Sequence, residues 1–220
     1  MITTMITTMI TTMIMSTEFF DYLRDPAEIY ARSFSLIHQA VDLSALPSDM
    51  APVATRLVHA CGMTDIIDDL VFSDGAASAG RAALQQGATI LTDAEMVAAG
   101  IIRKRLPAHN PVVCTLNDVV DYDGTTRSAA AVDLWRDHLQ GAVVTIGNAP
   151  TALFRLLEIL RDGGPKPALI LGFAVGFVGA AESKQALIDL APVPYITLTG
   201  RRGGSALAAA ALNALTGDQP

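Results

Sequence analysis

The stretch ALILGFAVGFVGAAESKQALIDL, residues 168–190, carries the fold in miniature. It begins with an unbroken apolar run of strand length. Gly172, Gly176 and Gly179 follow and interrupt any regular period. The remainder, AAESKQALIDL, spaces its apolar residues as a helix does. A strand that is apolar along its whole length is covered on both faces, and a helix directly after it supplies one of the covers.

The same pattern recurs on either side. The runs ATILTD (88–93), PVVCTL (111–116), AVVTIG (142–147) and YITLTG (195–200) are short, apolar and bounded by turn residues. Helical patterns follow nearly all of them: DAEMVAAG, TTRSAAAVDLWRDHL, APTALFRLLEILRD and GSALAAAALNAL. Alternating strands and helices predict an α/β fold with a mainly parallel five-stranded sheet and right-handed connections. Upstream lies an N-terminal helical arm. DPAEIYARSFSLIHQAVDL has Pro26 in a first turn and Ile29, Phe34, Ile37 and Val41 at helical spacing. PSDMAPVATRLVHACG follows, with Ser48 or Asp49 as candidate caps and Gly62 as the stop. Residues 63–71 read as a further helix, and 81–86 as part of another. No linker separates the arm from the rest, so 16–220 is expected to be one domain. Residues 1–15, MITTMITTMITTMIM, repeat a tetrapeptide without a basic region or cleavage pattern. They read as an expression-derived leader outside the fold.

Composition narrows the function. The net charge is −7, and no basic patch of the kind that nucleic-acid binders carry stands out. No apolar run is long enough for a transmembrane helix, so no membrane partner is expected. Cys61 and Cys114 form neither a CxxC pair nor a disulfide framework. They read as two buried thiols in a reducing compartment, the cytoplasm.

In open α/β sheets, ligands bind beyond the carboxyl ends of the strands. Here those ends carry residues 92–93, 116–127, 147–150, 172–184 and 200–205, where polar residues and glycines collect. The turn TIGNAP reads equally well as a plain strand-to-helix turn or as a helix N-terminus facing an anion. Gly172, Gly176 and Gly179 are spaced neither as a dinucleotide fingerprint nor as a P-loop. Arg201 and Arg202 are solvated or meet carboxylates. No zinc motif or GxSxG elbow occurs, and neither a metal nor a cofactor is expected.

The block RLVHACG places His59 three residues after Arg56 on an amphipathic helix. Val53, Leu57, Ala60 and Cys61 fall on its apolar face, Arg56 and His59 on another. His59 is either a surface residue or a proton carrier facing a cleft, with Arg56 beside it for an anion. His38, His109 and His138 read as surface residues. From the residues alone the chain is an α/β enzyme or binding protein for an anionic organic ligand.

Taken together, YLRDPAEIYARSF, RLVHACG, ILTDAEMVAAGI, CTLND, TRSAAAVDLW, IGNAPTALFRLLE, KPALILGFAVGFVGAAESK and GRRGGSALAAAALNAL resemble the precorrin-8X methylmutases. That family includes the cobalt-precorrin-8 enzyme of the anaerobic route to vitamin B12. The resemblance runs from about Asp21 to Thr216; the leader does not match. It implies a three-layer α/β sandwich, a homodimer with sites at the subunit interface, and a cofactor-free 1,5-sigmatropic shift. The family moves a methyl group from ring carbon 11 to carbon 12 of a tetrapyrrole, giving hydrogenobyrinic acid. By the same resemblance His59 is the proton donor to the macrocycle, and Ser33, Arg56 and Arg127 contact the substrate. The resemblance also allows hand-over of the product to the next enzyme of the pathway. A corrinoid carrier without catalysis is the competing reading; a Rossmann nucleotide enzyme lacks its fingerprint. The apolar remainder of the last helix, SALAAAALNAL, is expected to meet a partner subunit.

Overall fold

The computed structural model describes residues 20–217. The repetitive leader lies outside them. The chain opens with helices α1 (Pro26–Ala40) and α2 (Ala51–Cys61). Then come strand β1 (Leu70–Phe72), α3 (Ala76–Gln85), β2 (Ile90–Thr92), α4 (Glu95–Gly100), β3 (Val112–Cys114) and α5 (Arg127–Asp133). Strand β4 (Val143–Ile146), α6 (Pro150–Arg161), β5 (Leu169–Gly172), α7 (Ala180–Leu190), β6 (Tyr195–Leu198) and α8 (Ser205–Leu215) complete it. The strands form one sheet in the order β1-β6-β5-β4-β2-β3. The five expected strands run parallel to one another.

Side chains alternate across this sheet, and each face has its own core. On β4, Val143 packs into one cluster and Val144 and Ile146 into the other. On β5, Leu169 and Leu171 face the first cluster and Ile170 the second. The first cluster is closed by α2, α3, α4 and α8, with Ile37 of α1 at its margin. The second is closed by α5, α6 and α7 around the fully buried Trp135. The result is the expected three-layer sandwich.

The sheet gains a sixth strand at one edge. Residues 63–71 are not one helix: Thr64–Asp69 forms a 3-10 turn, and Leu70–Phe72 becomes β1, antiparallel to β6. The apolar residues of this segment suit a helical period. What decides the matter is the open edge of β6, whose unpaired backbone groups need a neighbour. Thr199 N donates to Asp69 O, so the pairing continues past the strand.

Helix α8 is buried on nearly every side, from Leu207 to Leu215. Its small residues let neighbours come close: a Cβ on Gly147 would sit 2.8 Å from Ala208 Cβ. The apolar remainder expected to meet another subunit is covered instead by α2 of the same chain. On α2 itself Val53 and Leu57 are buried as expected, whereas Ala60 is exposed and Cys61 half-buried. Cys114 is also only half-buried, so neither thiol is as enclosed as its sequence suggests.

Candidate active site

The site is built by α1 lying across α2. Asp25 caps α1 by accepting from Glu28 N at 2.8 Å, and Pro26 fits the first turn. Helix α2 starts without a side-chain cap, because Asp49 accepts instead from Ser78 N and Oγ at 3.2 and 2.8 Å. It stops at Gly62, whose φ of 69° is the left-handed conformation that glycine adopts at no steric cost.

His59 stands in the last turn of α2 and is exposed. Its Nδ1 lies 2.9 Å from Ser33 Oγ on α1. The edge of the imidazole meets Phe34, with ring centroids 5.3 Å apart. Arg56 lies one turn back along α2. Its guanidinium carbon is 5.5 Å from the Tyr30 ring centroid and 5.7 Å from that of Phe34. Among the described residues Arg56 has no carboxylate partner. Ser33, 26 residues before His59 in sequence, is thus brought to the helix face that carries Arg56 and His59.

Beside them a cavity of about 420 Å3 is lined by Tyr30, Phe34, His38, Thr55, Arg56 and Ala214, among others. His59 is not on its wall but beyond Arg56 at one end. His38 is exposed, as expected, yet it faces this cavity and its Nε2 lies 3.3 Å from Thr55 Oγ1. Its position four residues after Phe34, on the α1 face that meets α2, is the signal that would have found it.

Arg127 is not brought to this cluster. It opens α5 after the Thr126 cap, and its side chain turns back on the preceding loop. Nε donates to Leu116 O and one terminal nitrogen to Asn117 Oδ1, both at 2.9 Å. In this chain its contacts order the 116–127 loop.

The turn TIGNAP resolves one open alternative. The α6 N-terminus does face an anion, and that anion is Asp93 of the same chain. Its carboxylate accepts from Gly147 N at 2.9 Å, Asn148 N at 3.0 Å and Ala149 N at 2.8 Å. Asp93 is 1% exposed. Burial pushes its carboxyl above the ordinary range, against the three amides that pull it down.

The two adjacent arginines divide their work. Arg202 forms ion pairs with Asp65 at 2.8 Å and Asp69 at 2.6 Å. Arg201 lies against the Phe177 ring at 5.1 Å. Lys184 is fully buried and donates to Arg202 O.

Residues 28–217 match the precorrin-8X methylmutase family. The precorrin-8X methylmutase of Pseudomonas aeruginosa is 59% identical over 201 residues, covering 89% of this chain and 97% of that one. The chain belongs to the precorrin-8X methylmutase family. Another relative, the precorrin-8X methylmutase of a Sinorhizobium species, is 56% identical over 89% of this chain and 96% of its own. The cobalt-precorrin-8 methylmutase of Priestia megaterium is 34% identical over 91% of each chain. The crystal structure of a methylmutase of this family from Thermus thermophilus superposes with a TM-score of 0.78 at 40% identity. That match covers 86% of this chain and 94% of the other.

Proposed function

We propose that this chain catalyses the precorrin-8X methylmutase reaction of cobalamin biosynthesis. It is an isomerase, moving the methyl group from ring carbon 11 to carbon 12 and releasing hydrogenobyrinic acid. The observation that carries the mechanism is the Ser33–His59 pair, with His59 exposed beside an Arg56 that has no carboxylate partner among the described residues. Ser33 Oγ accepts from Nδ1–H when the imidazole is charged and orients the ring through this bond. That leaves Nε2 to exchange the proton. His59 donates from Nε2 to the conjugated macrocycle, drawing electron density from the migrating bond. It recovers the proton once the methyl group has moved, so the reaction is redox-neutral and needs no cofactor. Arg56 takes a peripheral carboxylate of the substrate, held in place by the Tyr30 and Phe34 rings. Arg127 reaches the ligand only by giving up its loop contacts, and is the weakest member of the set.

The metal-free substrate is favoured over cobalt-precorrin-8. The relatives named for precorrin-8X are 59% and 56% identical, against 34% for a cobalt enzyme. We further infer a homodimer that hands its product to the next enzyme, working in the cytoplasm. Two free thiols suit that compartment, and among the described residues no helix is long and apolar enough to cross a membrane.

The test follows the visible spectrum of precorrin-8X and of its cobalt complex with substoichiometric protein. Repeated conversion of the metal-free substrate is expected. A single change that stops at one equivalent would make the protein a carrier.

A further inference from the structure

The outward stripe of α2 extends beyond the site described above. Pro52, Arg56, His59 and Met63 follow at i, i+4, i+7 and i+11, the spacing of one helical face. Pro52 and Arg56 belong to the first cavity. Met63, past the Gly62 cap, belongs to a second hollow of about 290 Å3 with Val175, Phe177, Arg201 and Leu207. Helices α2 and α8 are packed antiparallel: Ala51 and Ala214 meet at the first hollow, Met63 and Leu207 at the second. His59 therefore lies between two hollows, each furnished with an aromatic ring and an arginine.

The second hollow is held rigidly. Lys184 fastens Arg202 O, and Asp65 and Asp69 fasten the Arg202 guanidinium. Gly204 N donates to Phe173 O at 2.8 Å, tying the loop after β6 to the loop after β5. A Cβ on Gly203 would stand 2.3 Å from Phe173 O, so these loops meet at a distance only glycine permits. On this fixed base the contact surface is left uncovered. Phe177 is 84% and Val178 89% exposed. Arg201, unlike Arg202, has no carboxylate partner among the described residues, and the Phe177 ring supports it. An exposed apolar patch beside an unpaired, preorganised cation matches a flat ligand edged with carboxylates.

We propose that Phe177 and Arg201 form a second wall of the tetrapyrrole site. Phe177 packs on the macrocycle face, and Arg201 binds a peripheral carboxylate on the side of His59 opposite to Arg56. The two arginines then hold the ligand at both ends, with the reacting ring at His59. This inference rests on the tetrapyrrole reading given above.

Arg201→Ala, Phe177→Ala and Arg201→Lys variants of the full chain are titrated with hydrogenobyrinic acid. Turnover of precorrin-8X and mass by light scattering are followed in parallel. Either alanine variant is expected to raise the Kd about tenfold or more, as loss of a charge-assisted pair or a ring contact does. Arg201→Lys is expected to recover part of that loss, at unchanged mass. If the wild-type protein turns over its substrate while both alanine variants bind product as tightly, the second wall is overturned and the function stands. A lowered mass in either variant also overturns it, because the loop is then a contact between two copies. If the wild-type protein neither binds nor converts, the functional reading fails and this one with it.

Discussion

Two polar regions of this molecule look alike in sequence and differ in what they leave open. At the centre of the sheet's carboxyl edge, a strand ends in a tight turn before a helix, as an anion site would. There the anion is already supplied: Asp93 fills the α6 N-terminus with three hydrogen bonds. On the outer face of α2, Arg56 has aromatic rings beneath it but no counter-charge among the described residues, and the one hydrogen bond of the His59 ring there is at Nδ1. Buried polar groups without partners are costly, so a fold satisfies those it needs for itself. Groups at the surface of a hollow that stay half-satisfied have capacity for a ligand. The two regions should therefore respond to mutation in opposite currencies, stability for the first and turnover or affinity for the second.

His59→Ala tests the open region most severely. Loss of a general acid typically slows a reaction about 10²–10⁴-fold, whereas a large ligand keeps its other contacts. The expected result is a fall in kcat of that order, with Kd for hydrogenobyrinic acid changed by less than roughly tenfold. Ser33→Ala should give a smaller fall in kcat, because it frees the ring without removing it. A His59→Ala variant at full rate would remove the imidazole from the mechanism.

Arg56→Ala comes next. If its guanidinium holds a desolvated carboxylate, affinity falls by roughly 2–4 kcal/mol. Arg161, 67% exposed and beside Asp162, is the control, with an expected loss below ~0.5 kcal/mol. Arg103, exposed in a short 3-10 turn, should behave like Arg161. Equal losses at Arg56 and Arg161 would mean that a diffuse field draws the ligand in.

Asp93→Asn tests the closed region. The new amide turns a donor toward the α6 N–H groups that the carboxylate now satisfies. One or two buried donors lose their acceptor, which costs about 2 kcal/mol. Urea unfolding should show this as a lower midpoint, with kcat of the folded enzyme near wild type. A variant of full stability and low activity would place Asp93 in the chemistry and dissolve the contrast.

The layered fold was legible because each parallel strand is covered on both faces and so leaves a continuous apolar run. Strand β1 was not, since Leu70–Phe72 is short and owes its conformation to β6, far along the chain. The open site was partly legible: Arg56 and His59 share a helix face, so spacing alone joins them. Ser33 needed family resemblance, because nothing local tells which residue of α1 meets His59. His38 was read by its polarity and not by its place on the α1 face. The filled anion site was illegible, because Asp93 lies 54 residues before Gly147, the first amide it binds. The loop contacts of Arg127 were not legible either, because nothing in the sequence tells that a long side chain at the start of a helix turns back on the loop before it.

Lys184 provides the finest test, because it is buried beneath the second hollow, bonded to Arg202 O, yet is not at ease there. Its side chain has no exposure, and burial pushes the ammonium down to about 8, partly offset by Asp69. In the unfolded chain the group returns to its ordinary value of 10.5. Between those two values the unfolded chain keeps a proton that the folded chain has released. Stability therefore rises with pH across that window, the reverse of what an exposed, salt-bridged lysine would give. Cys114 acts in the opposite sense: burial pushes its thiol up, so the unfolded chain loses that proton first and stability falls as pH rises. Comparing wild type with Lys184→Met cancels the Cys114 contribution. The stability difference, wild type minus variant, should shift in favour of wild type by about 1 kcal/mol between roughly pH 7.5 and 9. Urea midpoints at closely spaced pH values would measure it. A difference that stays flat would mean that Arg202 O and Asp69 keep the ammonium fully charged, and that Lys184 is as well satisfied as Asp93.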